Sequence, residues 1–127
     1  MINSQEEAVL YPRGFSRHFS CDLEIQEELS RRMVEKVDNL EGFQFFHAAS
    51  GGSGSGQLAK LAELLSVNYG KKPKLSYTLW PSQNYSTSIV EPYNTILCGH
   101  CLIEHVDLCM LIDNESLYKI CENRLGL

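Results

Sequence analysis

Apolar residues switch between two spacings along this chain, and the alternation constrains its fold more than any other feature. Helical spacing, with an apolar residue every three to four positions, occurs in residues 21–38, 58–68, 92–105 and 114–124. Short runs typical of strands lie between them, in residues 42–48, 74–80 and 107–112. Helices that alternate with strands favour βαβ units on a parallel sheet. The sequence therefore predicts an α/β fold over residues 21–127, after an irregular N-terminal segment of residues 1–20.

Two of the predicted strands are also expected to be buried. Residues 107–112 are almost continuously apolar, as in a parallel strand that is covered on both faces. The aromatic run of residues 42–48 also has the composition of a buried strand. After the third run, Asp113 and Asn114 offer an N-cap for the last helix.

Charge and composition exclude several classes of function. The 127 residues carry a net charge of -5 without a basic stripe, so neither nucleic acid nor an anionic membrane surface is an expected partner. Apolar runs stay well short of the roughly 20 residues of a membrane helix, and the polar, acidic residues 1–7 do not form a secretory signal. Five cysteines, an odd number, are then expected to be reduced thiols in a cytoplasmic protein.

Chemistry-bearing residues follow each predicted strand. The glycine- and serine-rich run 50–56 comes after the first, residues 86–88 and Glu91 after the second, and Asp113-Asn114 after the third. Ligands of parallel sheets bind where the strands end. Successive N–H groups of a glycine-rich loop at a helix start can cradle an anion. With a hydroxyl–carboxylate pair and an amide nearby, these loops predict a nucleotide site, although glycine content alone would also suit a flexible linker.

The Cys98-Gly99-His100-Cys101 segment suggests two other chemistries. A C-x-x-C pair is a redox motif when it opens a helix after a strand, but here it lies inside the helical pattern that begins at Pro92. A zinc site would use Cys98, Cys101 and His105, and no fourth ligand is evident. A thiol oxidoreductase therefore remains the less favoured alternative.

Residues 50–56 are similar to the tubulin signature, which reads Ser, Ala or Gly, then Gly-Gly-Thr-Gly, then Ser or Ala, then Gly. Further segments that resemble alpha-tubulin follow in the family's order, at residues 67–75, 90–94, 104–105 and 112–115. Tyr118, Ile120 and Cys121 fit as well. From Arg13 to Leu127 the sequence is identified as a divergent member of the alpha-tubulin family, resembling the second half of its nucleotide-binding domain.

The resemblance implies a Rossmann-like, GTP-binding domain, partial in this chain, with about three strands and four helices. It implies site residues as follows: phosphate contacts from Gly51, Gly52, Ser53 and Gly54, ribose-side contacts from Thr87 and Glu91, and a guanine contact from Asn114. It also implies a role in the microtubule cytoskeleton of the cytoplasm, with a beta-tubulin-like subunit or tubulin chaperones as partners. Ser50 stands where the family usually has glycine, and would be strained if that position needs a positive φ.

The same resemblance places parts of the family's site outside these residues. The ligands of a magnesium ion and the acid that hydrolyses GTP belong to such parts, so no catalytic residue is assigned here. Weak GTP binding without turnover is the expectation. The alternative is a non-binding remnant, or a module that docks on tubulin or its chaperones.

Overall fold

The computed structural model describes residues 10–15, 20–82 and 88–126. Its helices are α1 (Tyr11–Phe15), α2 (Ser20–Glu35), α3 (Leu58–Asn68), α4 (Glu91–His105) and α5 (Asn114–Leu125). Its strands are β1 (Phe43–Ala48), β2 (Lys74–Trp80) and β3 (Leu108–Asp113). A single π-type turn, Ser53–Gln57, runs directly into α3. The predicted alternation of helices and strands is confirmed, with α1 as an additional element.

The three strands form one parallel sheet in the order β1-β2-β3, which confirms the predicted α/β, Rossmann-like arrangement. Ala48 pairs with Leu79 at the end of β1, and Trp80 pairs with Asp113 at the end of β3. All three strands therefore end along the same edge of the sheet. This is the edge at which the sequence predicts a ligand.

One face of the sheet carries the core, because α3 and α4 pack there. Ala49, Cys98 and Leu102 are buried together, and Leu58 and Trp80 pack against them. On the opposite face, Phe46 is 74% exposed and stacks on Tyr77 with 4.7 Å between ring centroids. The prediction that residues 42–48 form a buried strand thus holds for one face only.

The predicted burial of the third strand is wrong. Leu108, Met110 and Leu111 of β3 are 59%, 49% and 60% exposed. The physical reason is position: β3 is an edge strand, and none of the described helices covers either of its faces fully. The apolar side of α5 is exposed as well, and so is the apolar stripe of α2. Among the described helices, none is long and apolar enough to span a membrane.

Residues 11–15 are helical, which corrects the expectation of an irregular segment there, while residues 1–9 and 16–19 lie outside the described residues. Pro12 suits the first turn of α1, where its missing N–H costs nothing. The N–H of Tyr11 donates instead to Oδ1 of Asn94, at 2.8 Å. A five-residue helix is marginal alone, so this tertiary contact supplies stability that local propensity does not.

Candidate functional site

A cleft lies at the edge where the three strands end. Its volume is about 310 Å³. It is lined by Ala48, Ser50, Leu79, Trp80, Pro81, Ser82, Glu91, Asn114 and Tyr118. Residues from all three strand-end loops are therefore in one place, as the sequence predicts. The volume falls at the lower end of the range for small-molecule sites.

Glu91 and Asn114 reach the cleft because each opens a helix directly after a strand or its loop. Glu91 begins α4, followed by Pro92 in the first turn. Asn114 begins α5, and the cap is Asp113, whose Oδ1 accepts the Glu115 N–H at 3.0 Å. The predicted N-cap is thus confirmed. Thr87, the other predicted ribose-side residue, lies outside the described residues.

The glycine-rich loop leaves β1 beside the cleft, with Ser50 on the cleft wall. Gly51 is exposed and Gly52 is buried, and the side chain of Ser55 contacts the carbonyl oxygens of both. Ser55 Oγ donates to the carbonyl oxygen of Gly51 at 2.6 Å and lies 3.3 Å from that of Gly52. Ser55 is itself fully buried. Its hydroxyl therefore fixes the turn from inside the protein.

Gly54 and Gly56 of the loop serve close approach and not left-handed backbone. Among the described residues only Gly126 has a positive φ. Ser50 therefore occupies its position with an ordinary φ, and the strain considered for it is absent. A Cβ on Gly54 would instead lie 2.6 Å from the Ala48 carbonyl oxygen, far inside a normal contact. Glycine is needed there because two backbone segments touch.

The helices α4 and α5 begin at this edge, and the π-type turn that leads into α3 follows the loop beside it. Each N-terminus carries a partial positive charge, which favours an anion. Glu91 adds one carboxylate beside them. The arrangement can hold an anionic group near the loop and a neutral polar group near Asn114.

Trp80, Ser82 and Tyr118 line the cleft but were not predicted as site residues. One signal could have found Tyr118: it lies four residues after Asn114, so both occupy one face of α5. Trp80 is the last residue of β2 and thus reaches the same edge. Both aromatic rings give the cleft an apolar wall.

Cys98 and Cys101 lie within α4, as predicted, and both are buried. Burial, together with the neighbouring Cys101, raises the pKa of the Cys98 thiol to about 12. Burial and the nearby Glu104 raise the pKa of Cys101 to about 11. A redox-active pair needs an acidified thiolate at a helix N-terminus, which this pair lacks. Within the described ranges, no three His, Cys, Asp or Glu side chains are grouped as a metal site.

His47 belongs to a polar cluster on the covered face of the sheet. Its Nε2 lies 2.9 Å from Ser76 Oγ and 2.9 Å from Thr78 Oγ1. The Thr78 hydroxyl in turn lies 3.3 Å from Cys109 Sγ. Burial lowers the pKa of His47 below its usual value. Burial therefore favours the neutral imidazole, and its contacts are those of a packing residue.

Acid is expected to destabilise the fold through His47. The unfolded state takes up a proton near pH 6.5, whereas the folded state resists it to lower pH. The unfolded state then binds more protons than the folded state. The free energy of unfolding therefore falls as the pH decreases from about 7, by at most ~1.4 kcal/mol per pH unit. Urea unfolding at pH 8, 7, 6 and 5.5 measures this slope, which His47→Gln should reduce. An unchanged slope in that variant would contradict the assignment.

The fold and cleft define an α/β domain of Rossmann type with a glycine-rich loop at its ligand edge. The model of the Tubulin/FtsZ family, GTPase domain, matches residues 1–122, and the chain belongs to this family.

Three curated relatives are alpha-tubulins. The tubulin alpha-3 chain of Saccharomyces cerevisiae (strain ATCC 204508 / S288c) is 44% identical over 131 residues. The nucleomorph tubulin alpha chain of Guillardia theta is 42% identical over 130 residues, and the tubulin alpha-6 chain of Naegleria pringsheimi 42% over 131. Each match covers 100% of this chain but only 28% or 29% of the relative. The chain thus spans less than a third of the length of these relatives.

Proposed function

We propose that this chain is an alpha-tubulin-like, GTP-binding unit that serves the microtubule cytoskeleton in the cytoplasm. One observation carries the proposal: Ser50, Glu91 and Asn114 come from three separate strand ends and line a single cleft. Family membership supports it, because the matching family model is that of a GTPase domain.

We propose a role for each predicted residue: Glu91 and Asn114 line the cleft, residues 51–54 follow Ser50 beside it, and Thr87 lies outside the described residues. The N–H groups of Gly51, Gly52, Ser53 and Gly54 receive the phosphates, which are anions at a helix start. Glu91 accepts hydrogen bonds from the ribose hydroxyls, and Thr87 is proposed for the same side of the nucleotide. The Asn114 amide offers both a donor and an acceptor, the combination that a guanine edge requires.

Magnesium and hydrolysis are assigned to no residue of this chain. The resemblance to alpha-tubulin implies that both belong to parts of the family's site outside these residues. The proposed activity is therefore nucleotide binding without turnover. The proposed partner is a beta-tubulin-like subunit or a tubulin chaperone.

A second candidate, a docking module that does not bind nucleotide, is favoured by one observation. The sheet face opposite α3 and α4 exposes Phe46, Leu79 and Met110, at 74%, 41% and 49%. Contiguous apolar surface of this kind often marks an interaction site. Partners of this module would be tubulin or its chaperones.

Removing the Asn114 amide is expected to weaken GTP binding about tenfold, because one base-reading contact of ~1.4 kcal/mol is lost. Affinities are measured with a fluorescent GTP analogue, and with unlabelled GTP and ATP as competitors, for wild type and Asn114→Ala. We expect micromolar GTP binding by wild type and reduced preference for GTP over ATP in the variant.

Asn123→Ala is the matched control, since Asn123 is exposed on the same helix and does not line the cleft. Its affinity should stay within about twofold of wild type, a change of less than ~0.5 kcal/mol. Equal GTP affinities in all three proteins would contradict the role of Asn114. A folded wild type that binds no GTP would favour the docking module.

A further inference from the structure

Asn94 is almost fully buried, at 1% exposed, one turn after Glu91 on α4. Its Oδ1 accepts the backbone N–H of Tyr11 at 2.8 Å. Its Nδ2 donates to the carbonyl oxygen of Ser50 at 2.9 Å. One side chain thus joins α4 to α1 and to the start of the glycine-rich loop.

These two bonds fix the orientation of the amide. An asparagine has an acceptor at one end and donors at the other, so it cannot turn over without opposing like groups on both sides. Tyr11 and Ser50 lie 83 and 44 residues away along the chain. In a variant that lacks the amide, the Tyr11 N–H and the Ser50 carbonyl oxygen would both lose this partner. Leaving a buried polar group without a hydrogen bond is costly.

The two Asn94 hydrogen bonds matter because the backbones of α1 and the glycine-rich loop are in direct contact. A Cβ on Gly14 would lie 2.2 Å from the Gly52 carbonyl oxygen, and one on Gly56 would lie 2.4 Å from that of Tyr11. Only glycine fits at positions 14 and 56, where the two backbones touch. The loop therefore packs against α1, and Asn94 bonds to the first residue of each segment, Tyr11 and Ser50.

We infer that Asn94 is a positioning residue for the nucleotide site: it locks α1 and the glycine-rich loop together, so that the loop N–H groups are preorganised for phosphate. The phosphate role rests on the proposed function, whereas the locking of the loop does not. Preorganised donors bind an anion better because less order must be imposed on binding.

Three variants separate this role from general stability. Asn94→Leu has a similar size and removes both bonds. Asn94→Asp keeps an acceptor for Tyr11 but has no donor for Ser50. Thr95→Val is the matched control, since Thr95 is 5% exposed on the same helix and its hydroxyl donates to the carbonyl oxygen of Glu91 within α4. Each is examined by urea unfolding, by peptide-level amide hydrogen exchange without nucleotide, and by titration with the fluorescent GTP analogue.

We expect amide exchange in residues 50–57 to accelerate at least tenfold in Asn94→Leu and Asn94→Asp, beyond any change in residues 74–80. Residues 10–15 should lose protection in Asn94→Leu more than in Asn94→Asp. The Thr95→Val variant should show neither effect. GTP binding should weaken about tenfold or more in both Asn94 variants and by less than threefold in the control.

Exchange that accelerates evenly over all peptides, in proportion to global stability, would overturn the inference. If Asn94→Leu does not fold, Asn94→Asp alone decides, because selective loosening of residues 50–57 is required there too. A wild type that binds no GTP but shows the selective exchange pattern would refute the proposed function and leave the locking role in place.

Discussion

Gly54→Ala is expected to lower the free energy of unfolding by about 2–3 kcal/mol, the upper part of the range for overpacked sites. The added Cβ would lie 2.6 Å from the Ala48 carbonyl oxygen. That oxygen belongs to the backbone at the end of β1, so it cannot move as the tip of a flexible side chain would. The strain would be relieved by shifting the loop away from the strand, and urea unfolding without nucleotide measures its cost.

Gly51→Ala is the matched control in the same loop, because a Cβ at Gly51 meets nothing within 4 Å. Its φ is not positive, so alanine fits, and the loss of unfolded-state freedom should stabilise the fold by about 0.5 kcal/mol. Similar destabilisation by both substitutions would show that the loop requires glycine for flexibility and not for space at one contact.

Gln57→Leu is expected to raise the free energy of unfolding by about 1–2 kcal/mol. Gln57 is 4% exposed, and neither its Oε1 nor its Nε2 has a hydrogen-bond partner among the described residues. Burying an amide without a partner costs roughly 1–3 kcal/mol on protein scales, and leucine of similar volume avoids that cost. Thermal unfolding should shift upward by several degrees in consequence.

The control is the same substitution at an exposed site, Gln44→Leu on β1. Surface changes of this kind usually stay within about 0.5 kcal/mol. A loss of stability in Gln57→Leu would mean that the amide is satisfied in solution, for instance by bound water. A gain of equal size in both variants would assign the effect to hydrophobicity in general.

The arrangement of the fold could be predicted because it follows local rules. Helical and strand spacing located α2 to α5 and all three strands, since each element buries or exposes residues with its own period. Parallel pairing then placed the carboxyl ends of the strands together. From that, the meeting of Ser50, Glu91 and Asn114 in one cleft followed without any knowledge of contacts.

Burial could not be predicted in the same way, because it depends on which neighbours cover an element. The sequence of β3 reads as a strand covered on both faces, yet the described helices leave Leu108 and Leu111 exposed. The helix α1 was missed for a related reason. Its five residues are held by Asn94, 83 residues away from Tyr11, and by close backbone contacts that no local pattern encodes.

The central claim is that GTP binds at the edge where the three strands end. Its most direct test is a titration of the nitrogen-15-labelled chain with GTP, followed by amide chemical shifts, with ATP as the comparison. We predict saturable shifts confined to residues 50–57, the start of α4 and residues 113–118, with weaker effects from ATP. A dispersed, native spectrum that GTP leaves unchanged, or that GTP and ATP change alike, would contradict the claim.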